Sequence, residues 1–303
     1  MVDITHKVWT LRKAVAQAVV KVSSLDTIHA VLEKKVPKGD VFEMAKTAGL
    51  FAAKKTSEII PDCHPLPVEY AHISYEVIGL TIEIKVEIHT VYKTGVEVEA
   101  MHAASVVALT MYDMLKPLDK NIEILTIKLL EKTGGKTDYQ HIVGEVPVGI
   151  IVCSDSISKG EKEDRSGKMI QQKMEEYHAP ILEYVIIPDD VSVIQSTIRS
   201  LENVGCKLIL ITGGTGLSPR DVTPEAVRPL LDVEIPGIAE AIRSYGQDRT
   251  PYSMLSRSIA GFMKDTLIIA MPGSTSGVKD SLQAIFPALF HVFRVKKFFK
   301  HDQ

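Results

Sequence analysis

Lys207-Leu-Ile-Leu-Ile-Thr-Gly-Gly-Thr-Gly216 sets an unbroken apolar run directly against a glycine-rich turn. A run of this length without polar alternation suits a strand buried on both faces, as in a parallel sheet covered by helices. The glycines allow positive φ and let a ligand approach the main chain, whose N–H groups can face phosphate oxygens. Taken alone, the turn is equally a plain tight turn. No Gly-Lys-Ser/Thr follows it, and Pro219 stands where a Gly-x-Gly-x-x-Gly motif needs its last glycine.

Around this stretch the second half repeats one pattern. Val148–Cys153, 184–187 and Thr266–Met271 are further short apolar runs, and helical stretches are predicted at Ser166–Glu176, 192–203 and 254–263. Alternating strand and helix implies right-handed crossovers and a doubly wound, mainly parallel sheet. Each run ends in residues that suit ligands: Ser154-Asp155, Asp189, Gly213-Gly-Thr-Gly216, and Pro272-Gly-Ser274. Arg220-Asp-Val-Thr-Pro-Glu225 follows the glycine turn, with Thr223 predicted as a helix N-cap and Pro224 at the first helical position. Asp189 and Asp221 at the mouth of one sheet suit Mg²⁺ held beside phosphates, although either can also serve only as a turn or helix cap.

The first half reads differently. Leu80, Ile82, Ile84, Val86 and Ile88 alternate with polar residues, as in an antiparallel strand with one wet face. Helices are predicted near 14–31, 41–59 and 99–115, with an extended segment at 122–130, giving an α+β sandwich. The pattern changes near 138–148, after Thr133-Gly-Gly-Lys-Thr137.

Composition narrows the function class. A chain of 303 residues is long enough for two cores, and 45% hydrophobic with 24% charged residues is a globular balance. A net charge of −3 argues against a general nucleic-acid binder. Cys63, Cys153 and Cys206 are too few and too scattered for a disulfide framework or a four-cysteine zinc site. No apolar run is long enough to span a bilayer, and the first residues lack a signal-peptide pattern, so no membrane partner and a cytoplasmic location are expected.

Several first-half segments carry chemistry. Lys38-Gly-Asp-Val41 precedes a helix, so Lys38 is expected to add a cation at that helix's positive end. Pro61-Asp-Cys-His-Pro65 fixes His64 in a rigid turn. On the 99–115 helix, Asp113 falls about 40° from Glu99 around the axis, with His102 one turn beyond Glu99. Asp113 and Lys116 can meet at i and i+3, either as a working acid–base pair or as a simple surface ion pair.

Two resemblances join these motifs. Ser154-Asp155, Asp164-Arg-Ser-Gly167, Pro188-Asp189, Gly213-Gly-Thr-Gly216, Arg220-Asp-Val-Thr-Pro224 and Met271-Pro-Gly-Ser274 together resemble the MogA/MoaB molybdopterin-binding family across 148–297. The resemblance implies a three-layer α/β domain that adenylylates molybdopterin, with ATP as cosubstrate and no permanently bound cofactor. Asp189 and Asp221 would be its catalytic residues, holding Mg²⁺. Ser154, Asp155, Gly213, Gly214, Thr215, Gly216, Pro272, Gly273 and Ser274 would bind substrate. A non-catalytic molybdopterin carrier or scaffold is the alternative for this half.

Thr10-Leu-Arg12, Lys38-Gly-Asp-Val41, Cys63-His-Pro65, Thr94-Gly-Val-Glu97, Tyr112-Asp-Met114 and Gly134-Gly-Lys136 resemble MoaC, the cyclic pyranopterin monophosphate synthase family, over 1–137. That implies a ferredoxin-like sandwich in a hexameric or trimer-based assembly with sites at subunit contacts. Cyclised 7,8-dihydroguanosine triphosphate would become cyclic pyranopterin monophosphate and pyrophosphate. Lys38, Asp113 and Lys116 would be catalytic, and Cys63, His64, Val98, Glu99 and Lys136 would hold substrate. Asp62 departs from the family, which usually has leucine there. The expected domains are 1–143 and 147–303. Pterins and nucleotides are the expected small-molecule partners, with other enzymes of the pathway as further candidates.

Overall fold

The computed structural model describes residues 1–135 and 146–298 and divides the chain into two units, Met1–Asp138 and Tyr139–Gln303. In the first unit the order is β1 (Thr10–Lys21), α1 (Leu25–Leu32), α2 (Val41–Lys54), α3 (Thr56–Ile59), β2 (Tyr70–Ile78), β3 (Thr81–Tyr92), α4 (Glu97–Leu115) and β4 (Glu123–Thr133). The strands form one sheet in the order β2-β3-β1-β4, every neighbouring pair antiparallel.

The helix predicted at 14–31 is corrected to the central strand β1 followed by the short helix α1. Alanine favours helices, which disguised a strict period of two: Ala14, Ala16, Ala18 and Val20 are buried while the residues between them face the other way. These small side chains leave room for α4, whose Ala100, Ala103, Ala104, Val107, Ala108 and Met111 join the same core. The helix predicted at 41–59 breaks at Lys55 into α2 and α3. The alternating residues Ile82, Ile84, Val86 and Ile88 lie in β3 and are fully buried. Strand β2 had no reading in the sequence.

The second unit runs β5 (Val148–Cys153), α5 (Asp155–Ser158), α6 (Ser166–Glu176), β6 (Ile181–Ile187), α7 (Val191–Val204), β7 (Leu208–Thr212), α8 (Thr223–Val227), β8 (Val233–Glu234), α9 (Pro236–Gln247), β9 (Ile259–Met263), β10 (Thr266–Met271), α10 (Thr275–Ile285) and α11 (His291–Phe298). Its sheet has the order β6-β5-β7-β10-β9-β8. The first four strands of that order are parallel; β9 and β8 are antiparallel additions at one edge. Alternate residues of the strands feed two cores. Ile150, Leu210 and Ile269 pack with α6, α9 and α10, while Ile151, Ile211 and Ile268 pack with α7 and α8. Helices therefore cover both faces.

The helix predicted at 254–263 is corrected to a 3-10 turn at Pro251–Leu255 followed by β9. Five consecutive apolar residues fit a buried strand as well as a helix turn. Pairing of Met263 with Thr266 across a two-residue hairpin decides for the strand. No helix among the described residues is long and apolar enough to cross a membrane.

Candidate active sites

Because β5, β6, β7 and β10 are parallel, their carboxyl ends open on one edge, and the loops after them share a cleft there. Gly213 (φ +102°) and Gly214 (φ +64°) take left-handed conformations that other residues rarely adopt. Gly213 donates to Met271 O at 3.3 Å, and Thr212 Oγ1 donates to Pro272 O at 2.8 Å, so the two glycine loops are tied together. They also touch: a Cβ on Gly273 would lie 3.0 Å from Gly213 Cα. Ser154 and Ser274 cap α5 and α10, accepting from Ile157 N at 3.4 Å and Gly277 N at 3.1 Å. Thr223 does not cap α8 as predicted; its hydroxyl donates to Gly213 O at 2.9 Å and holds the glycine turn instead.

The acidic residues form a linked set. Asp155 N donates to Asp189 Oδ2 and Asp189 N donates to Asp155 Oδ1, both at 3.2 Å, bracing two strand ends against each other. Asp189 Oδ1 is buried and has no partner. It faces the glycine turn, 3.0 Å from where a Gly214 Cβ would stand. Burial pushes the Asp189 pKa up, the Asp155 N–H bond pulls it down, and the Asp155 and Asp221 charges raise it further. Helix α7 is capped by Asp190, accepting from Val193 N at 3.0 Å, which leaves Asp189 for the cleft. Asp221 Oδ2 accepts from Ser218 N at 2.8 Å, and Arg220 stands 3.7 Å from Asp155 Oδ2. Among the described residues no group of three or more His, Cys, Asp or Glu is arranged as a complete metal site.

In the first unit two clusters form at opposite ends of α4. At its carboxyl end, Asp113 lies between two ammonium groups, with Lys38 Nζ 2.7 Å from Oδ2 and Lys116 Nζ 2.7 Å from Oδ1. Lys38 also donates to Asp113 O at 2.9 Å. The expectation that Lys38 serves the amino end of α2 is thus corrected: Asp40 caps that helix, accepting from Phe42 N and Glu43 N, and Lys38 turns to Asp113. Bonds from Lys116 and then Lys38 lower the Asp113 pKa to about 2.

At the amino end of α4, the Cys63 thiol donates to Glu99 Oε1 at 3.1 Å. Glu99 is 2% exposed, and its Oε2 is buried without a partner. Burial raises the Glu99 pKa, and burial together with Glu99 pushes the Cys63 thiol up to about 12. His64 Nε2 bonds to Val2 O at 2.8 Å, and Val98 is half-exposed beside Glu99. Lys136 lies outside the described residues.

Glu99 and Asp113 share a helix face, but fourteen residues at 1.5 Å each separate them by about 21 Å along the axis. That is too far for both side chains to act on the same reacting atoms of one substrate.

Residues 1–135 match the MoaC family, and residues 149–291 match a family described as a probable molybdopterin binding domain. A molybdenum cofactor biosynthesis bifunctional protein of Chlorobaculum tepidum is 38% identical over 297 residues, covering 98% of this chain and 94% of the relative. The chain belongs to the bifunctional molybdenum cofactor biosynthesis family. A second relative of the same description, from Synechococcus elongatus, is 37% identical over 311 residues, covering 98% and 97%. A cyclic pyranopterin monophosphate synthase of Listeria monocytogenes is 49% identical over 138 residues, covering 45% of this chain and 86% of that one.

Two residues of this bifunctional family member had no role in the sequence reading. Arg12 is 8% exposed, with Nε donating to Tyr92 O at 3.3 Å and an Nη to Lys93 O at 3.5 Å, at the entrance to α4. Arg257 precedes β9, where its backbone N donates to Thr215 O at 2.9 Å and its Nε to Gly216 O at 2.8 Å. Its other nitrogens reach Asp221 O and the Glu225 carboxylate. Reading 254–263 as helix hid Arg257. An arginine two residues before a buried apolar run is the signal that a strand reading would have exposed.

Proposed function

We propose that the chain catalyses two steps of molybdenum-cofactor biosynthesis, with residues 1–143 forming cyclic pyranopterin monophosphate and residues 147–303 adenylylating molybdopterin. The strand order of the first unit supports reading it as a ferredoxin-like sandwich. The observation that carries the first activity is the Lys38–Asp113–Lys116 cluster, a carboxylate kept ionised between two ammonium donors. Carbon–nitrogen cleavage and ring closure of cyclised 7,8-dihydroguanosine triphosphate need proton transfer, and release of pyrophosphate needs charge stabilisation. A substrate phosphate competes with Asp113 for the two ammonium groups, freeing the carboxylate to take a proton and a lysine to give one. Cys63, His64, Val98 and Glu99 hold the substrate, with the unpartnered Glu99 Oε2 available to a substrate polar group. Lys136 belongs to the same set by motif. The 21 Å between the clusters, about fourteen residues of helix, is reconciled if each site takes its acid–base cluster from one chain and its Glu99 cluster from another. A homo-oligomer, hexameric or trimer-based, then follows.

In the second domain a terminal phosphate oxygen of molybdopterin attacks the α-phosphorus of ATP, and the bond from that phosphorus to the pyrophosphate oxygen breaks. Thr215, Gly216 and the neighbouring glycine amides face phosphate oxygens, while Ser154, Asp155, Pro272, Gly273 and Ser274 line the rest of the cleft. Mg²⁺ suits this donor set, because carboxylate oxygens are its preferred ligands and Asp189 Oδ1 is buried beside the glycine turn without a partner. Asp189 and Asp221 would hold it, and it would take up charge that develops on the phosphates. The chain's own contribution is positioning: the Asp155–Asp189 brace fixes two strand ends, and the tied glycine loops fix a third and fourth.

The deciding experiment incubates the purified chain with molybdopterin and Mg-ATP and follows adenylylated pterin and pyrophosphate by mass spectrometry. Product that disappears in Asp221→Ala is expected. Bound molybdopterin with no product would replace the enzymatic reading of this half with the carrier reading.

A further inference from the structure

Arg257 reaches the glycine loop of the second cleft from a part of the chain that no motif touches. Its contacts fall on one segment: Thr215 O accepts its backbone N–H at 2.9 Å, Gly216 O accepts Nε at 2.8 Å, and Asp221 O and the Glu225 carboxylate take the remaining nitrogens. One guanidinium therefore grips both ends of the 216–221 turn. The peptide unit is planar and trans, so a carbonyl held on one side forces the next residue's N–H to the other. With Thr215 O and Gly216 O turned toward Arg257, the N–H groups of Gly216 and Leu217 point away from it. Among the described residues, neither donates to a protein acceptor. The same turn carries the Asp221 carboxylate, which lies 2.8 Å from where a Gly216 Cβ would stand.

We infer that Arg257 is the positioning residue of the phosphate loop, setting the direction of its free amides and of Asp221 by holding the opposite carbonyls. This rests on the phosphate-loop reading given above. The fork of the guanidinium matters here, because a lysine ammonium can reach one carbonyl but cannot hold two in a fixed plane. Glu225 acts as an anchor for the free nitrogen and contributes little to the loop's direction.

The test titrates inorganic pyrophosphate and Mg-ATP into the full chain and its Arg257→Met, Arg257→Lys and Glu225→Gln variants by calorimetry. Thermal unfolding and amide exchange across 213–221 are measured alongside. Losing charge-assisted bonds that order the loop is expected to weaken pyrophosphate binding about 10- to 100-fold in Arg257→Met. Arg257→Lys is expected to recover part of that loss, and Glu225→Gln to stay within about twofold. The hydrogen-bonded loop amides of Ser218, Asp221 and Thr223 should exchange faster in both Arg257 variants. Wild-type affinity and exchange in folded Arg257→Met or Arg257→Lys would overturn the inference. A wild-type chain that binds neither ligand would overturn the phosphate-loop reading, whereas the exchange data judge the loop's dependence on Arg257 independently.

Discussion

At Asp113 and Glu99, two carboxylates on one helix have opposite electrostatics. The lysine bonds hold Asp113 near pKa 2, below the unfolded value of about 3.9, so its charge favours folding above that value. The contribution is lost as pH falls through the folded value, and Asp113 stays ionised throughout the neutral range. Glu99 is shifted upward by burial, so the acid-side inflection of the first activity should belong to Glu99. A pH–rate profile should keep that inflection in the wild type and lose it in Glu99→Gln. A raised carboxyl pKa also means stability falls as pH climbs from the unfolded toward the folded value. Glu99→Gln should therefore raise Tm, and by more at pH 8 than at pH 5. Asp113→Asn should leave a folded chain without the first activity; full activity would remove Asp113 from the chemistry. In the second cleft, Gly214→Ala would place a Cβ against Thr223 Oγ1 and Asp189 Oδ1 at a positive φ. We expect it to cost about 1–3 kcal/mol of stability and to abolish adenylylation, read by denaturant unfolding and product formation.

Among the elements, β1 and α4 depend on each other. Alanines on the buried face of β1 meet alanines on α4, and this close seam fixes the helix whose two ends carry both clusters of the first unit. Ala16 is fully buried at the centre of that seam. Ala16→Leu should overpack it and lower stability by about 1–3 kcal/mol in chemical denaturation, with the first activity falling more than the second. A strand of β-branched residues at β1 would be more legible in a sequence but would hold α4 further from the sheet. In the second unit, β9 was disguised as helix because a five-residue apolar run has no period of its own. Its hairpin partner β10 supplied the missing information. By contrast, β5, β7 and β10 were legible because strands buried on both faces must be apolar throughout.

For the whole molecule, the proposal that each first-unit site is divided between chains gives a sharp expectation. Glu99→Gln alone should keep only residual formation of cyclic pyranopterin monophosphate, and Asp113→Asn alone none. Mixing and reassembling the two variants should restore part of the activity, because some sites then combine an intact Glu99 cluster with an intact Asp113 cluster. Chains whose sites were complete in one copy would show no such rescue.

The sequence by itself determined the two-part organisation, the parallel character of the second sheet, and the motifs that hold Asp113, Lys116, Glu99, Asp189 and the glycine loop. Those features are local: burial on both faces, i to i+3 spacing on a helix, and glycine at turns needing positive φ each leave a mark in neighbouring residues. Tertiary structure alone decided that β1 is a strand, that Lys38 turns from α2 to Asp113, and that Thr223 braces Gly213 rather than capping a helix. It alone brought Arg257 onto a loop some forty residues earlier in the chain. In each case the choice lay between locally similar conformations, and the partner that settled it came from a distant segment whose approach no local pattern encodes.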